Sequence, residues 1–555
     1  MQHVTTHKEK IREVKTDRTI EFNPLYLPYA SKRYPTYANN GMVATSQPLA
    51  AQAGLDILKK GGNAVDAAIA TAACLTVVEP TSNGIGADAF ALIWMKGKLH
   101  GLNSSGPSPA LLSHEALKER GLSEMPVHGF VPVTVPGAPA AWAECSRRFG
   151  KLPLTEVLAP AIRYAEEGYP LSPVLAKYWG GAYKAYKNRL SPEDFAQWEE
   201  VFAPNRRAPQ AGEVWRSLDH AQTLRRIAET DAKAFYTGEL ADKIDRYSRQ
   251  KDGFLRKEDL ETYEPDWVEP ISVNYKGYEV WEIPPNGQGL ITLMALNLLK
   301  NDDLNEKDTI DSYHKQIEAL KLAFSDGLKH ISERGDMRYS IDELLSDAYA
   351  KERRALIGEE ALTPEPGEPP KGGTVYLATA DGEGNMVSFI QSNYMGFGSG
   401  IVVPGTGIAL QNRGHNFSLD PNHVNYLKPR KRPYHTIIPG FLTKDGAAVG
   451  PFGVMGGFMQ PQGHLQVVMN TIDFNLNPQA ALDAPRWQWT KDKVVQVEHT
   501  FPHHIAQGLA QKGHQVQIAI EPNSFGRGQI IWRDPKTGVL CGGTESRTDG
   551  AIAAW

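Results

Sequence analysis

The apolar positions of the chain fall into two periodicities. In residues 48–60, Leu49, Ala53, Leu55, Ile57 and Leu58 recur at near-helical spacing, and Gly61-Gly62 supplies a stop. Asn63 is placed to cap a second helix carrying Val65, Ala68, Ile69, Ala72 and Leu75 on one face. Small residues on that face let two helices approach closely, so a helical hairpin is predicted. Helical spacing returns in residues 154–167, 220–230 and 310–328, and the stretch from Val135 to about Ile357 reads as mostly helical. Strand-like runs interrupt it. Residues 90–94 form one, and residues 273–283 read as paired strands around Lys276-Gly277. Residues 375–380 and 386–390 are apolar runs on either side of Asp381-Gly382-Glu383-Gly384-Asn385, a hairpin signal. Just before that hairpin, residues 364–371 are too rich in proline to be helix or central strand. Residues 1–36 read as a polar lead-in.

Composition narrows the class. The chain has 555 residues, 41% hydrophobic and 22% charged, which fits a large globular protein. A net charge of −5 argues against nucleic acid or a membrane surface as partner. Cys74, Cys145 and Cys541 are far apart and odd in number, so neither a disulfide framework nor metal spacing is visible. The N-terminus lacks an apolar signal core, and no apolar run reaches the roughly 20 residues that span a bilayer. A cytoplasmic protein is expected. No metal or cofactor is expected either. The clustered His499, His503 and His504 lack supporting ligands. The glycines of Pro284-Pro285-Asn286-Gly287-Gln288-Gly289 open a helix that could bind an anion, but they match neither a P-loop nor a dinucleotide fingerprint. No Gly-x-Ser-x-Gly nucleophile elbow is present.

The candidate chemistry sits where the proline-rich stretch meets the hairpin, at Gly372-Gly373-Thr374. Two readings are open. One is a plain linker before a domain. The other is a self-cleaving precursor. There the Thr374 hydroxyl attacks the Gly373 carbonyl, with glycine allowing a strained backbone. Cleavage frees an α-amino group, of reference pKa about 7.7–8.0, beside the hydroxyl. One residue then serves as nucleophile and base.

Six motifs occur in order: Gly373-Thr374, the run from Asp381 to Asn385, the glycine-rich run from Phe397 to Ile408, Lys431-Arg432-Pro433, Met455-Gly456-Gly457, and the run from Ala481 to Arg486. Together they make residues 40–555 resemble the γ-glutamyltranspeptidase family of N-terminal nucleophile hydrolases. The run from Gly61 to Ala68 resembles the family's N-terminal signature and is expected to shape the fold. Residues 80–90 read either as a loop touching the active centre or as a plain turn. The resemblance implies an α+β fold, a four-layer αββα sandwich. It implies a large subunit of residues 37–373 and a small catalytic subunit of residues 374–555, which stay together after cleavage at Gly373/Thr374. Thr374 would be the nucleophile, Ser392 its hydrogen-bonding neighbour with Asn393 assisting, and Gly456 and Gly457 the oxyanion donors. The bland alternatives are a strand end at Ser392-Asn393 and a turn at Gly456-Gly457. Glu545, Arg547 and Asp549 also match the family and read as structural.

The substrate pocket departs from the family. Leu112 stands where an arginine clamps the substrate α-carboxylate, and no arginine lies between Gly101 and Lys118. Asn416 replaces the acidic residue that holds the α-amino group. Arg413 stands in place of Gln or Glu, and Tyr434 and His435 replace two serines. The pocket has lost an anion and gained a cation, which favours a substrate with a free carboxylate and no nearby ammonium. Arg413 is either that clamp or the partner of a protein acid such as Asp420. Residues 416–433 are short, so a more open site is expected. By family alone the activity is γ-glutamyl hydrolysis or transfer, as on glutathione. The changed pocket raises an amidase for dicarboxylic monoamides or N-acyl side chains, like the oxamate- and cephalosporin-acylase-like relatives. An uncleaved binding scaffold is the third reading. The partners expected are a small-molecule amide and the chain's own two subunits.

Overall fold

The two periodicities become two facing sheets with helices on both outer sides. The computed structural model describes residues 32–304, 306–364, 373–521 and 524–555. The lead-in up to residue 31 and the proline-rich approach of residues 365–372 lie outside the described residues. One seven-stranded sheet runs Ala551–Ala554, Gly41–Thr45, Gly373–Asp381, Met386–Tyr394, Asp88–Met95, Lys98–Ser104, Asp266–Val268. The other runs Thr36–Ala38, Leu540–Thr544, Arg527–Arg533, Ala447–Met455, Gly440–Lys444, Tyr278–Glu282, Ile271–Tyr275. All pairings in both are antiparallel.

The hairpin is present and longer than its apolar runs, from Gly373 to Tyr394, with Val375 opposite Gln391 and Ala380 opposite Met386. Period-2 alternation sorts its side chains. Tyr376, Ala378, Ala380 and Ile390 pack between the sheets against Phe441, Met455 and Ile531 of the other sheet. Val375, Leu377, Val387 and Phe389 face the helical layer of Pro48–Lys59, Ala64–Val78 and Ala138–Phe149. Burial of Leu377 and Phe389 is worth about 1.5–3 kcal/mol each, so packing on both faces holds this strand pair as well as its ladder does. Behind the second sheet, Gly289–Leu299, Ile310–His330 and Met459–Ile472 pack on Leu442, Phe452, Val454 and Ile530. This gives four layers, α-β-β-α.

The first helical pair forms as the sequence predicts, with one difference. Ala64–Val78 is buried all round, not on one face, because it lies inside its layer. Its approach to Pro48–Lys59 requires Gly54, where a Cβ would stand 2.3 Å from Thr71 Oγ1. Asn63 Oδ1 accepts from the Val65 and Asp66 amides while Asp66 Oδ2 accepts from Asn63 N–H, a capping box. The hairpin turn then docks on this helix. Asp381 Oδ2 accepts from the Ala64 amide at 3.0 Å, and Oδ1 from the Glu383 and Asn385 amides. Two motifs that read separately in sequence are thus one joint, with a carboxylate at a helix N-terminus. The helix predicted over 154–167 is two, Leu154–Val157 and Ala159–Glu167, because Pro160 can only begin a helix.

Residues 33–555 form one unit. Both sheets mix strands from before and after residue 373, so that position is no boundary between folding domains. No helix among the described residues is long and apolar enough to cross a membrane.

Candidate active site

Thr374 is the second residue of a central strand, flanked by Gly41–Thr45 and Met386–Tyr394. Gly373 pairs with Tyr394 and Val375 with Gln391, so two residues, Ser392 and Asn393, stand opposite the single Thr374. Such a β-bulge re-aims side chains. Thr374 Oγ donates to Ser392 Oγ at 3.1 Å, and Ser392 Oγ donates to the Gly373 carbonyl at 2.8 Å. The Tyr394 amide donates to Ser392 Oγ at 2.8 Å. Tyr394 itself has φ 76°, a left-handed conformation costly for a bulky residue and typical of functional sites. Ser392 is therefore brought to Thr374. Asn393 is not: its side chain packs against Gly84, and neither amide atom has a partner. Residues 80–90 do reach this region, because the Asn393 amide donates to Ser82 O.

Gly456 and Gly457 follow the strand Ala447–Met455 and precede the helix Met459–Ile472. Their φ values are 142° and 62°, and a Cβ on Gly456 would stand 3.1 Å from Gly526 Cα. Only glycine fits this turn without strain. Their carbonyls accept from the Met459 and Gln460 amides, while no protein acceptor among the described residues takes their own N–H groups. Gln288, in the loop before Gly289–Leu299, braces the turn from behind. Its Nε2 donates to Gly457 O at 2.9 Å and Thr436 O at 2.6 Å, and its Oε1 accepts from Tyr434 O–H. In the first turn of the helix, Gln460 Nε2 lies 3.5 Å from Thr374 Oγ1, which joins the glycine turn to the threonine.

Arg413 is fully buried. Its Nη1 donates to Thr436 Oγ1 at 2.7 Å, and its guanidinium lies over the Tyr394 ring at 4.3 Å. Its Nε and Nη2 have no acceptor, and neither does the Tyr394 hydroxyl. The pairing with Asp420 does not form. Asp420 lies on the surface, where its carboxylate caps the Asn422 amide. Burial lowers Arg413 to about 10, with Asp88 opposing the shift, so it stays charged at neutral pH. Asp88 is the counter-charge. Burial pushes it up to about 7 while Arg413 and backbone amides pull it back. His435 Nδ1 faces the Ile437 N–H, so its Nε2 carries the proton and donates to Asp88 Oδ2 at 3.0 Å. Burial and Arg413 hold that imidazole neutral.

The remaining pocket residues are engaged with protein. Tyr434 stacks on Phe458, and Asn416 Nδ2 donates to Tyr434 O at 2.9 Å. The segment of residues 416–433 is short but folded on itself, with Asn425 bridging Asn416 O and Tyr434 N. Thr374 is 1% exposed, so the open site expected from that short segment is not present in the uncut chain. Leu112 is buried in an apolar cluster with Leu117, Phe254 and Phe417. A trio of potential metal ligands, His314, Glu318 and His514, is buried in another part of the sequence. There the Lys321 ammonium already occupies Glu318 at 2.5 Å. Sequence reasoning missed Asp88, Gln288, Tyr394 and Gln460. Gln288 had a signal as part of a glycine-containing loop, and Asp88 as part of residues 80–90, one of whose two readings is a loop touching the active centre.

This architecture is the αββα sandwich of N-terminal nucleophile hydrolases. The profile described as Gamma-glutamyltranspeptidase matches residues 50–555, and the chain belongs to that family and is an enzyme of that class. A cephalosporin acylase structure from Bacillus halodurans is 67% identical, with a TM-score of 0.94 over 97% of this chain and 99% of that one. The glutathione hydrolase-like YwrD proenzyme of Bacillus subtilis (strain 168) is 36% identical over 92% of this chain and 97% of the relative. The oxamate amidohydrolase proenzyme of Klebsiella pneumoniae is 31% identical over 93% of this chain and 99% of the relative.

Proposed function

We propose that the chain is a proenzyme that cuts itself between Gly373 and Thr374, and that Thr374 then hydrolyses amides whose acyl part ends in a second carboxylate. The observation that carries this reading is Arg413, a buried cation with two donor positions lacking a protein acceptor beside a Tyr394 hydroxyl in the same condition. Buried donors are ordinarily satisfied, and each unsatisfied one costs about 1–3 kcal/mol. A planar carboxylate is the natural match for the guanidinium fork. An α-ammonium has no such match, because Asn416 offers no negative charge. The cephalosporin acylase and oxamate amidohydrolase relatives point the same way.

In the first reaction, Thr374 Oγ bonds to the Gly373 carbonyl carbon and the Gly373–Thr374 C–N bond breaks. The hydroxyl proton ends on the Thr374 nitrogen. Water then hydrolyses the ester, leaving a Gly373 carboxylate and a free Thr374 hydroxyl and amine. Ser392 polarises the carbonyl by its 2.8 Å hydrogen bond and accepts from the attacking hydroxyl. In turnover, the Thr374 amine takes the Oγ proton as Oγ adds to the substrate amide carbonyl, then gives it to the departing amine. The N–H groups of Gly456 and Gly457 receive the oxyanion, each such donor being worth about 10²–10³ in rate. Water resolves the acyl-enzyme.

Intact mass of freshly purified protein under denaturing conditions, beside Thr374→Ala, tests the first reaction. Two fragments meeting at Gly373/Thr374 in the wild type alone are expected. A full-length chain in both samples refutes it and favours a binding scaffold. Parallel assays with a glutaryl amide, oxamate and glutathione test the second. Glutathione as the preferred substrate overturns the carboxylate reading and restores γ-glutamyl hydrolysis.

A further inference from the structure

We propose that Gln460 is a catalytic residue, the donor that holds Thr374 Oγ as its negative charge develops. This rests on the reading of Thr374 as nucleophile. The orientation of the Gln460 amide is fixed by chemistry. Its Oε1 accepts from the Ile438 backbone N–H at 2.9 Å, a group that can only donate. The other end of the amide, Nε2, therefore faces Thr374 Oγ1, at 3.5 Å, the outer limit of a hydrogen bond. Since Nε2 can only donate, the threonine oxygen accepts there and its own hydrogen goes elsewhere.

That hydrogen has one place to go. Ser392 Oγ lies 3.1 Å away and already sends its own hydrogen to Gly373 O. The Tyr394 amide and the Thr374 hydroxyl together use the two acceptor sites of Ser392. The polarity of the whole chain follows: Gln460 N–H to Thr374 O–H to Ser392 O–H to Gly373 C=O. The Gly373 carbonyl at one end and the Gln460 donor at the other demand the same direction for every hydrogen between them. As the Oγ–H bond loosens toward the Thr374 nitrogen, and again as Oγ leaves the acyl group, the Gln460 donor faces an oxygen carrying partial negative charge. A charge-assisted hydrogen bond is shorter and about twice as strong as a neutral one. The contact thus gains strength on the way to the transition state, the condition for accelerating a reaction. The same residue also closes the glycine turn, since the Gln460 amide donates to Gly457 O. Nucleophile and oxyanion donors are held in register by one side chain and its own backbone.

The test uses the full chain carrying Gln460→Met, which keeps the length and removes the donor, and Gln460→Glu. Fragment formation is timed by intact mass, and kcat and KM are measured on a glutaryl amide. For Gln460→Met, fragment formation and kcat should both fall about 100-fold with KM little changed. For Gln460→Glu, one carboxylate oxygen can still accept from Ile438, but the other cannot donate while ionised. Its deficit relative to wild type measured at the same pH should shrink as the pH falls and protonation restores a donor, a response that packing alone does not give. Rates for Gln460→Met within about twofold of wild type, or a loss confined to KM, overturn the assignment. If Gln460→Met does not fold, the Gln460→Glu to wild-type ratio decides alone, and a ratio that does not rise as the pH falls overturns the assignment. Thr374→Ala is measured alongside. If that variant still cuts or turns over, the nucleophile reading has failed, and with it this one.

Discussion

Among the described residues two arginines, Arg413 and Arg486, are fully buried, and they are treated in opposite ways. Arg486 donates to the Phe525, Gly526 and Leu482 carbonyls and to Glu545 Oε2 at 2.8 Å. Glu545 also binds Arg547, which binds Glu498. Burial alone would raise Glu545, but the two arginines bring it down to about 2. Arg413 has one hydroxyl, an aromatic face and a counter-charge that is no hydrogen-bond partner. No carboxylate stands within 4.0 Å of it among the described residues. A closed network specifies structure, whereas the open one around Arg413 leaves two donors unsatisfied, the basis of the proposed carboxylate site. The C-terminal match to the family at Glu545, Arg547 and Asp549 belongs to the first kind. Asp549 accepts from the Val174 and Leu175 amides at the start of a helix.

The comparison can be broken by substitution, and the largest effect sets its reference. Thr374→Ala should abolish fragmentation and lower amidase activity at least about 10⁴-fold, as loss of a nucleophile does. It also supplies an uncut chain for measuring stability.

In that background the two arginines should separate. Arg486→Met leaves Glu545 with less compensation and should cost about 3–5 kcal/mol of stability, seen as an earlier denaturant midpoint. Arg413→Met should leave the midpoint unchanged or later. In the cleaving enzyme it should lower kcat/KM on a glutaryl amide at least about 100-fold, from two lost charge-assisted bonds. Equal destabilisation by both substitutions would refute the distinction.

A pH series sharpens it. Asp88 is raised from 3.8 to about 7. For a raised acid, the stabilising contribution is complete below pH 3.8 and is lost as pH rises through about 7. Below about 7 Asp88 becomes neutral and stops offsetting Arg413, so KM for a dicarboxylic monoamide should fall as kcat falls with protonation of the Thr374 amine. The groups facing Asp88 are His435, Arg413 and Arg432, and the last two stay charged throughout. Asp88→Asn should flatten the KM profile and leave the kcat profile in place.

The smallest effect concerns the lost ammonium site. Asn416→Asp restores an anion but faces the Tyr434 carbonyl that Asn416 now satisfies. A gain of γ-glutamyl activity below about tenfold is expected, read as glutathione hydrolysis.

Local chemistry was legible in the sequence and assembly was not. The hairpin at residue 373 announces itself by alternation and a turn, and the helical pair by Asn63 and its glycines. The joint between them, Asp381 on the Ala64 amide, spans 317 positions and leaves no local mark. Thr374, Ser392 and the glycine pair stood out as motifs. Arg413 stood out as a departure, but the choice between Asp420 and a ligand needed the fold. Gln460 lies on an element whose pattern reveals only burial, and Asp88 near the end of a stretch that reads equally as an active-centre loop or a plain turn. Asn393 was misplaced because a bulge cannot be seen in a strand's alternation.

Strand interleaving has a consequence for the history of each molecule. Gly373–Asp381 lies between Gly41–Thr45 and Met386–Tyr394, and Ala551–Ala554 closes the far side of Gly41–Thr45. While the chain is whole, these partners find one another within a single molecule. After the proposed cut they would become two species, and refolding would become an encounter whose speed depends on concentration. The proposed self-processing would thus make folding a journey taken once. The mature enzyme inherits a structure that its separated halves would reach again only by meeting.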